Sequence, residues 1–143
     1  GFKKIQEKYP DKVGVYIGFN APLAQRIYAG SDMFLMPSRF EPCGLGQLFS
    51  LRYGTIPIVR ATGGLAETVI DIDKDKKNGN GFSYEEFSSK DMLKTVKRAI
   101  KFYNEKPDEW KAMVKRAMSA DYSWNNSASK YSDLYMKLTK KKK

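Results

Sequence analysis

The chain has 143 residues, enough for one domain with a buried core. Hydrophobic residues make up 41 % and charged residues 29 %, which excludes a largely disordered chain. The sequence has no histidine and one cysteine, which excludes histidine-based triads, histidine-ligated metals and an intramolecular disulfide. No apolar run approaches the roughly 18 residues that cross a bilayer, so we expect neither a transmembrane helix nor a membrane partner.

The net charge of +10 does not by itself indicate nucleic-acid binding. Four of the charges are the terminal run Lys140–Lys143, which is typical of a solvated end, and the remaining +6 is spread among acidic residues. No zinc-finger spacing, RNA-binding aromatic strand or recognition helix is present, so nucleic acid is not an expected partner.

The first elements alternate between helix and strand. Residues 1–9 have helical spacing that ends at Pro10, and the apolar run 13–19 predicts a strand buried on both faces. Pro22 opens a second helix that stops near Gly30. Since the chain starts at Gly1 inside a helical pattern, we interpret it as a piece of a longer protein.

The alternation continues through the middle of the chain. A second buried strand over 33–37 is followed by a helix that ends at Gly54, then by a third strand over 56–59. A Thr-Gly-Gly turn at 62–64 precedes a short helix. The apolar positions of the helix before Gly54 are Leu45, Leu48, Phe49 and Tyr53.

The last part of the chain changes to helices. Residues 71–80 are charged and predict an exposed loop, and GFSY at 81–84 predicts a last short strand. Three helices follow, over 90–105, 107–120 and 124–139, the last with Ser123 as its N-cap. Strands that alternate with helices predict one α/β domain with a doubly wound parallel sheet, helices on both faces and a helical tail.

Ligands of such sheets bind outside the carboxyl ends of the strands, where three loops meet: 18–20, 38–44 and 61–64. The second loop ends in Cys43-Gly44-Leu45-Gly46 as a helix begins, and the third presents Gly63-Gly64 before another helix. Free backbone N–H groups at such helix starts favour phosphate, and Arg39 would add positive charge. Glycines serve tight turns equally well, so this pattern alone leaves phosphate binding open.

Three side chains in these loops have both a chemical and a structural interpretation. Glu41 is the only carboxylate there, suited to sugar hydroxyls or a positively charged transition state, or else to an ion pair with Arg39. Phe19 is either a core residue or an aromatic that stacks on a nucleobase. Cys43 is typical of a small buried hydrophobe, since no histidine is present to activate it as a nucleophile.

The segment IYAGSDMFLMPSRFEPCGLGQLFSLRYGTIPIVRATGGLAETVID closely resembles bacterial glycogen synthases and plant starch synthases. These are retaining GT-B glycosyltransferases that move glucose from ADP-glucose onto an α-1,4-glucan. VGVYIGF, NGNGF and DYSW are similar to further family segments, so the resemblance covers the whole chain. It implies that 1–143 is an N-terminally truncated C-terminal nucleotide-sugar-binding domain, with a Rossmann-like core over 1–89 and C-terminal helices over 90–143.

The resemblance also implies roles for particular residues. Phe19 falls where the family stacks an aromatic on adenine, and Glu41 falls beside the transferred glucosyl group. The remaining nucleotide-sugar-binding positions that it implies are Arg39, Cys43, Gly44, Leu45, Gly46, Thr62, Gly63 and Gly64. Two positions depart from related enzymes: Gly46 replaces a frequent Thr or Ile, and Phe49 stands where wider GT-B enzymes have a second glutamate.

The implied enzyme uses ADP-glucose as donor and an α-glucan as acceptor, with no cofactor or metal. Its basic pair and its N-terminal domain, with the catalytic histidine, are expected upstream of Gly1, so this chain alone is expected to be inactive. A bacterial enzyme of this kind is cytoplasmic, and a plant enzyme is plastidial. Two alternatives remain open: a related GT-B enzyme with another donor or acceptor, and a non-catalytic domain that binds polyanions.

Overall fold

The computed structural model describes residues 1–140, so most of the terminal lysine run lies outside the described residues. The described chain has seven helices and three strands. The helices are α1 Phe2–Lys8, α2 Ala21–Gly30, α3 Gly46–Tyr53, α4 Gly64–Thr68, α5 Ser89–Glu105, α6 Pro107–Ser119 and α7 Trp124–Lys140. The strands are β1 Met33–Met36, β2 Ile56–Arg60 and β3 Phe82–Tyr84.

The three strands form one parallel sheet in the order β1-β2-β3. Met33 lies opposite Ile56, and Ile58 lies opposite Phe82. This confirms the predicted parallel α/β class. Because parallel strands end at the same edge, the loops that follow β1 and β2 emerge side by side.

The core is divided between the two faces of β2. Ile56 and Ile58 pack on one face with residues of α3, α5 and α6, whereas Val59 packs on the other face with Leu65 and Val69 around α4. Alternate residues of a strand point to opposite faces, which accounts for this division. The predicted placement of helices on both faces is therefore confirmed.

The predicted strand at 13–19 is wrong. The structure has no strand there, and Ile17 and Phe19 are 72 % and 96 % exposed. A strand requires a hydrogen-bonded neighbour, and this segment pairs with none of the three described strands. For a related reason β1 is only half-buried, because β2 is its single described neighbour.

The predicted exposed loop at 71–80 is also partly wrong, because both of its ends are buried. Asp71 is 4 % exposed, and its carboxylate pairs with Arg98 of α5 at 2.6 Å. Asn80 is buried at the other end, where its side chain bonds the backbone of Thr68 and Ile70. These two polar side chains can be buried because each one has hydrogen-bond partners within the fold.

The predicted helical tail is confirmed. Ser88 caps α5 through its hydroxyl, Pro107 begins α6, and the Ser123 hydroxyl accepts the Asn126 N–H at the start of α7. Gly54 caps the end of α3, as predicted. No helix within residues 1–140 is both long and apolar enough to cross a bilayer.

Candidate functional site

The loops that follow β1 and β2 meet through their backbones, and we call the surface that residues 38–46 and 61–64 form together the wall. The Gly64 N–H donates to the Glu41 carbonyl oxygen at 3.2 Å. A Cβ atom at Gly63 would overlap that same oxygen, and one at Gly64 would overlap the Cys43 carbonyl oxygen. The turn that begins at Thr62 therefore lies directly against residues 41–43, with no side chain between the two segments.

Glu41 presents its carboxylate in this wall without a cationic partner. The side chain is half-buried, and its Oε2 accepts a 3.5 Å hydrogen bond from the Ser38 hydroxyl. Among the ion pairs of residues 1–140, none involves Glu41, so the structure does not contain the ion pair with Arg39 considered above. The negative charge of Glu41 is available to a ligand.

Two guanidinium groups lie against one exposed aromatic ring beside this loop. Those of Arg39 and Arg60 lie 5.8 Å and 5.7 Å from the ring centre of Phe87. Arg60 also donates to the carbonyl oxygens of Arg39, at 2.6 Å, and of Glu85, at 3.1 Å. Arg60 thus holds the start of the loop in place and adds a second positive charge. The sequence pattern did not single out Arg60, although the residue directly follows the buried run 56–59.

The turn from Cys43 to Gly46 leads into α3 without a side-chain cap. Gly44 has a φ of +76°, in the left-handed region, and Leu45 follows in the right-handed helical region at φ −113° and ψ −24°. The side chain of Leu45 and the Cys43 thiol are exposed. Successive left-handed and right-handed residues make a concave row of backbone N–H groups, which is suited to an anion.

Gln47 is a buried residue of the site that sequence reasoning missed. It is fully buried, and its Nε2 lies 3.1 Å, 3.0 Å and 3.2 Å from the Cys43 oxygen, the Gly44 oxygen and the Thr68 Oγ1. Thr68 in turn donates to the Gly64 carbonyl oxygen at 2.6 Å. The sequence feature that could have identified Gln47 as buried is its position one helical turn before the buried Leu51.

Phe19 lies apart from the two loops. It borders an open groove of about 1150 Å³ between α1, residues 14–20 and α2, and none of residues 38–46 or 61–64 lines that groove. The structure therefore brings together the predicted positions from Arg39 to Gly64, but not Phe19. Within residues 1–140, no three His, Cys, Asp or Glu side chains are grouped so that they could hold a metal ion.

Residues 3–117 match the family described as glycosyl transferases group 1. This chain is a member of that family. It is 59 % identical over 137 residues to a glycogen synthase of Bacillus cereus (strain Q1), covering 96 % of this chain and 29 % of that relative. It is 56 % identical over 140 residues to a glycogen synthase of Geobacillus thermodenitrificans, covering 98 % of this chain and 29 % of that protein.

Two solved structures are similar in fold. One is the catalytic domain of starch synthase IV from Arabidopsis thaliana bound to ADP and acarbose, with a TM-score of 0.84 and 38 % identity over 95 % of this chain and 29 % of that chain. The other, a sucrose-phosphate synthase from Thermosynechococcus elongatus, has a TM-score of 0.64 at 21 % identity, covers 96 % of this chain and 33 % of that one, and supports the fold alone. The resemblance to glycogen and starch synthases is confirmed, and this chain spans about three tenths of the length of these glycosyltransferase relatives.

Proposed function

We propose that this chain is the nucleotide-sugar-binding part of a glucosyltransferase that moves glucose from ADP-glucose to the non-reducing end of an α-1,4-glucan, with retention of configuration. The observation that carries the proposal is the wall in which the Glu41 carboxylate stands beside the uncapped turn at 43–46. The ADP in the starch synthase IV structure supports an adenine nucleotide as the donor.

The turn at 43–46 binds the diphosphate of the donor. Its backbone alternates from left-handed Gly44 to right-handed Leu45, and the N-terminus of α3 adds partial positive charge. Arg39 and Arg60 raise the positive potential beside it. These groups stabilise the negative charge that accumulates as the bond between glucose and ADP breaks.

Glu41 acts on the sugar side of that bond. When ADP leaves with the bonding electron pair, the glucosyl carbon becomes positively charged, and a carboxylate without a cationic partner lowers the energy of that state. The acceptor 4-hydroxyl then attacks from the face that ADP leaves, and its proton passes to the departing phosphate oxygen of ADP. In this scheme the protein contributes positioning and electrostatics rather than a covalent nucleophile.

Two parts of the site complete this proposal. The exposed Phe19 ring offers its faces to the adenine base, which requires the 14–20 segment to lie beside the donor in the working enzyme. The relatives are more than three times as long as this chain, and we propose that a second domain supplies the opposite wall and part of the glucan surface. The bacterial relatives favour a cytoplasmic enzyme over a plastidial one.

The test is glucose transfer by the full-length protein that contains this sequence, measured with radiolabelled ADP-glucose and glycogen. We expect incorporation from ADP-glucose to exceed that from UDP-glucose, and no incorporation by the 143-residue polypeptide alone. A preference for UDP-glucose would indicate a related enzyme with another donor. Salt-dependent binding to heparin with no affinity for ADP would overturn the proposal in favour of a polyanion-binding domain.

A further inference from the structure

We infer that Gln47 is a positioning residue that sets the direction in which the turn at 43–45 presents its N–H groups to the donor diphosphate. This inference rests on the proposed function. Gln47 does not touch the donor, because its side chain is fully buried beneath the turn.

The side-chain amide of Gln47 holds two successive peptide groups from below. Its Nε2 lies within hydrogen-bond distance of the carbonyl oxygens of Cys43 and Gly44, and of the Thr68 hydroxyl. All three are acceptors toward Gln47, because the Thr68 hydroxyl proton goes to the carbonyl oxygen of Gly64. The amide nitrogen is therefore the end of Gln47 that faces these groups.

The direction of the two N–H groups follows from peptide geometry. In a trans peptide the C=O and N–H bonds point in opposite directions, and the described chain has no cis peptide. The Cys43 carbonyl shares its peptide plane with the Gly44 N–H, and the Gly44 carbonyl shares its plane with the Leu45 N–H. Because both carbonyls point at Gln47, both N–H groups point away from it.

The other end of the same amide shows that filling space does not account for this residue. The Gln47 Oε1 is buried and has no hydrogen-bond partner, which lowers the stability of the fold. A Met or Leu side chain of similar volume would fill this position without an unpaired oxygen. The donor end of the amide therefore accounts for a glutamine at this position.

The experiment compares ADP and adenosine binding by calorimetry in the full-length protein and its Gln47→Met variant. Without the amide donor the two peptides are free to rotate, and the loss of one well-aligned hydrogen bond to a charged phosphate costs roughly 10- to 100-fold in affinity, so we expect ADP to bind 10- to 100-fold more weakly. Adenosine lacks phosphates, so its affinity should be unchanged. The matched control is Ser50→Ala, since among the described residues the buried Ser50 hydroxyl bonds only the Gln47 carbonyl, within α3. That variant should lose stability but keep its ADP affinity.

A second variant, Gln47→Glu, tests the donor directly through pH. Burial raises the pKa of such a carboxyl, and only its protonated form donates a hydrogen bond. We expect the ADP affinity of Gln47→Glu, relative to wild type at the same pH, to fall as the pH rises from 6 to 8. Equal ADP affinity in Gln47→Met and wild type would overturn the inference alone. A wild-type protein that binds no ADP would overturn the proposed function itself.

Discussion

At the residue scale, the proposed chemistry depends on one carboxylate that has a hydroxyl neighbour and, within residues 1–140, no cationic partner. Glu41 is half-buried, and Ser38 is its single side-chain hydrogen-bond donor among the described residues. No cation within residues 1–140 neutralises this carboxylate, so its charge is available to stabilise positive charge on a bound sugar. Its contribution should therefore appear in the transition state rather than in donor binding.

Replacing Glu41 with Gln in the full-length protein keeps the shape of the side chain and removes its charge. We expect kcat to fall by about 10²-fold or more while the KM for ADP-glucose changes little, because the charge acts mainly on the transition state. Initial rates of glucose transfer measure both constants. Glu105→Gln on the exposed face of α5 is the control and should match wild type. If the Glu41→Gln enzyme kept half of the wild-type kcat, the role of Glu41 would be to hold the loop in place and not to stabilise the transition state.

The buried pair of Asp71 and Arg98 makes a second prediction, on stability. Burial opposes ionisation of Asp71, but hydrogen bonds from Arg98 and from the N–H groups of Ser83 and Asp73 outweigh it and hold the pKa of Asp71 below its ordinary value. Asp71→Asn should lower the free energy of unfolding at neutral pH by about 3 kcal/mol, since it leaves Arg98 without its main partner. Urea denaturation measures this difference.

The pH dependence of that difference follows from the direction of the shift. Since the folded pKa lies below the unfolded value of about 3.9, the stabilisation is complete above that value and is lost as the pH falls through the folded pKa. The difference in the free energy of unfolding between wild type and Asp71→Asn should thus be constant near neutrality and shrink below about pH 4. The control is Asp108→Asn, because the Asp108 side chain is 97 % exposed. This variant should show no comparable loss in the free energy of unfolding at any pH. A difference that persists unchanged in acid would exclude the ion pair as its cause.

At the scale of the elements, the wall depends on the contact between the start of α4 and the loop after β1. A methyl group at Gly64 would overlap the carbonyl oxygen of Cys43. Gly64→Ala should therefore lower the stability by about 1–3 kcal/mol and weaken ADP binding, because the two backbones must separate. Gly30→Ala is the control, since its added methyl meets no atom within 4 Å. Thermal unfolding with and without ADP measures both effects, and a Gly64→Ala protein indistinguishable from wild type would contradict the packing.

The elements also show where sequence patterns succeed and fail. The runs 33–36 and 56–60 are predictable as strands because short apolar runs require burial in a sheet. The buried face of α3 is not predictable in this way: Leu45, Phe49 and Tyr53 are exposed, whereas the buried residues include Gln47 and Ser50. These two polar side chains are buried because backbone carbonyls accept their hydrogen bonds.

The candidate site likewise has features that the sequence predicts and features that it does not. Glycines at 44, 63 and 64 are visible in the sequence as turn residues before helices, and Glu41 is visible as the one carboxylate of these loops. The contacts that join them are not visible, because Gln47 meets Thr68 and Arg60 meets Arg39 across 21 positions each. Partners so distant along the chain are determined by the fold and not by local pattern.

At the scale of the whole molecule, net charge and exposed apolar surface have opposite effects on self-association. One face of α7 carries four exposed apolar side chains: Tyr131, Leu134, Tyr135 and Leu138. The free edge of β1 adds unpaired backbone groups. The net charge of +10 keeps copies of the chain apart, and added salt screens that repulsion.

The 143-residue polypeptide should therefore self-associate as the salt concentration rises. Sedimentation velocity at increasing ionic strength measures the change. Leu134→Gln, within the exposed face of α7, should shift association to higher protein concentration, whereas Met136→Gln, exposed on another side of the helix, should not. A monomer at every salt and protein concentration would show that neither surface drives association.

The direct backbone contact between Gly64 and Glu41 also decides which parts of the molecule are able to move. With a hydrogen bond joining the two segments and no space for even a methyl group between them, the wall contains no hinge. In the proposed function, the donor therefore enters and leaves without a separation of these two loops. Opening and closing around the donor comes from other parts of the protein that move relative to this wall, while the wall itself stays rigid.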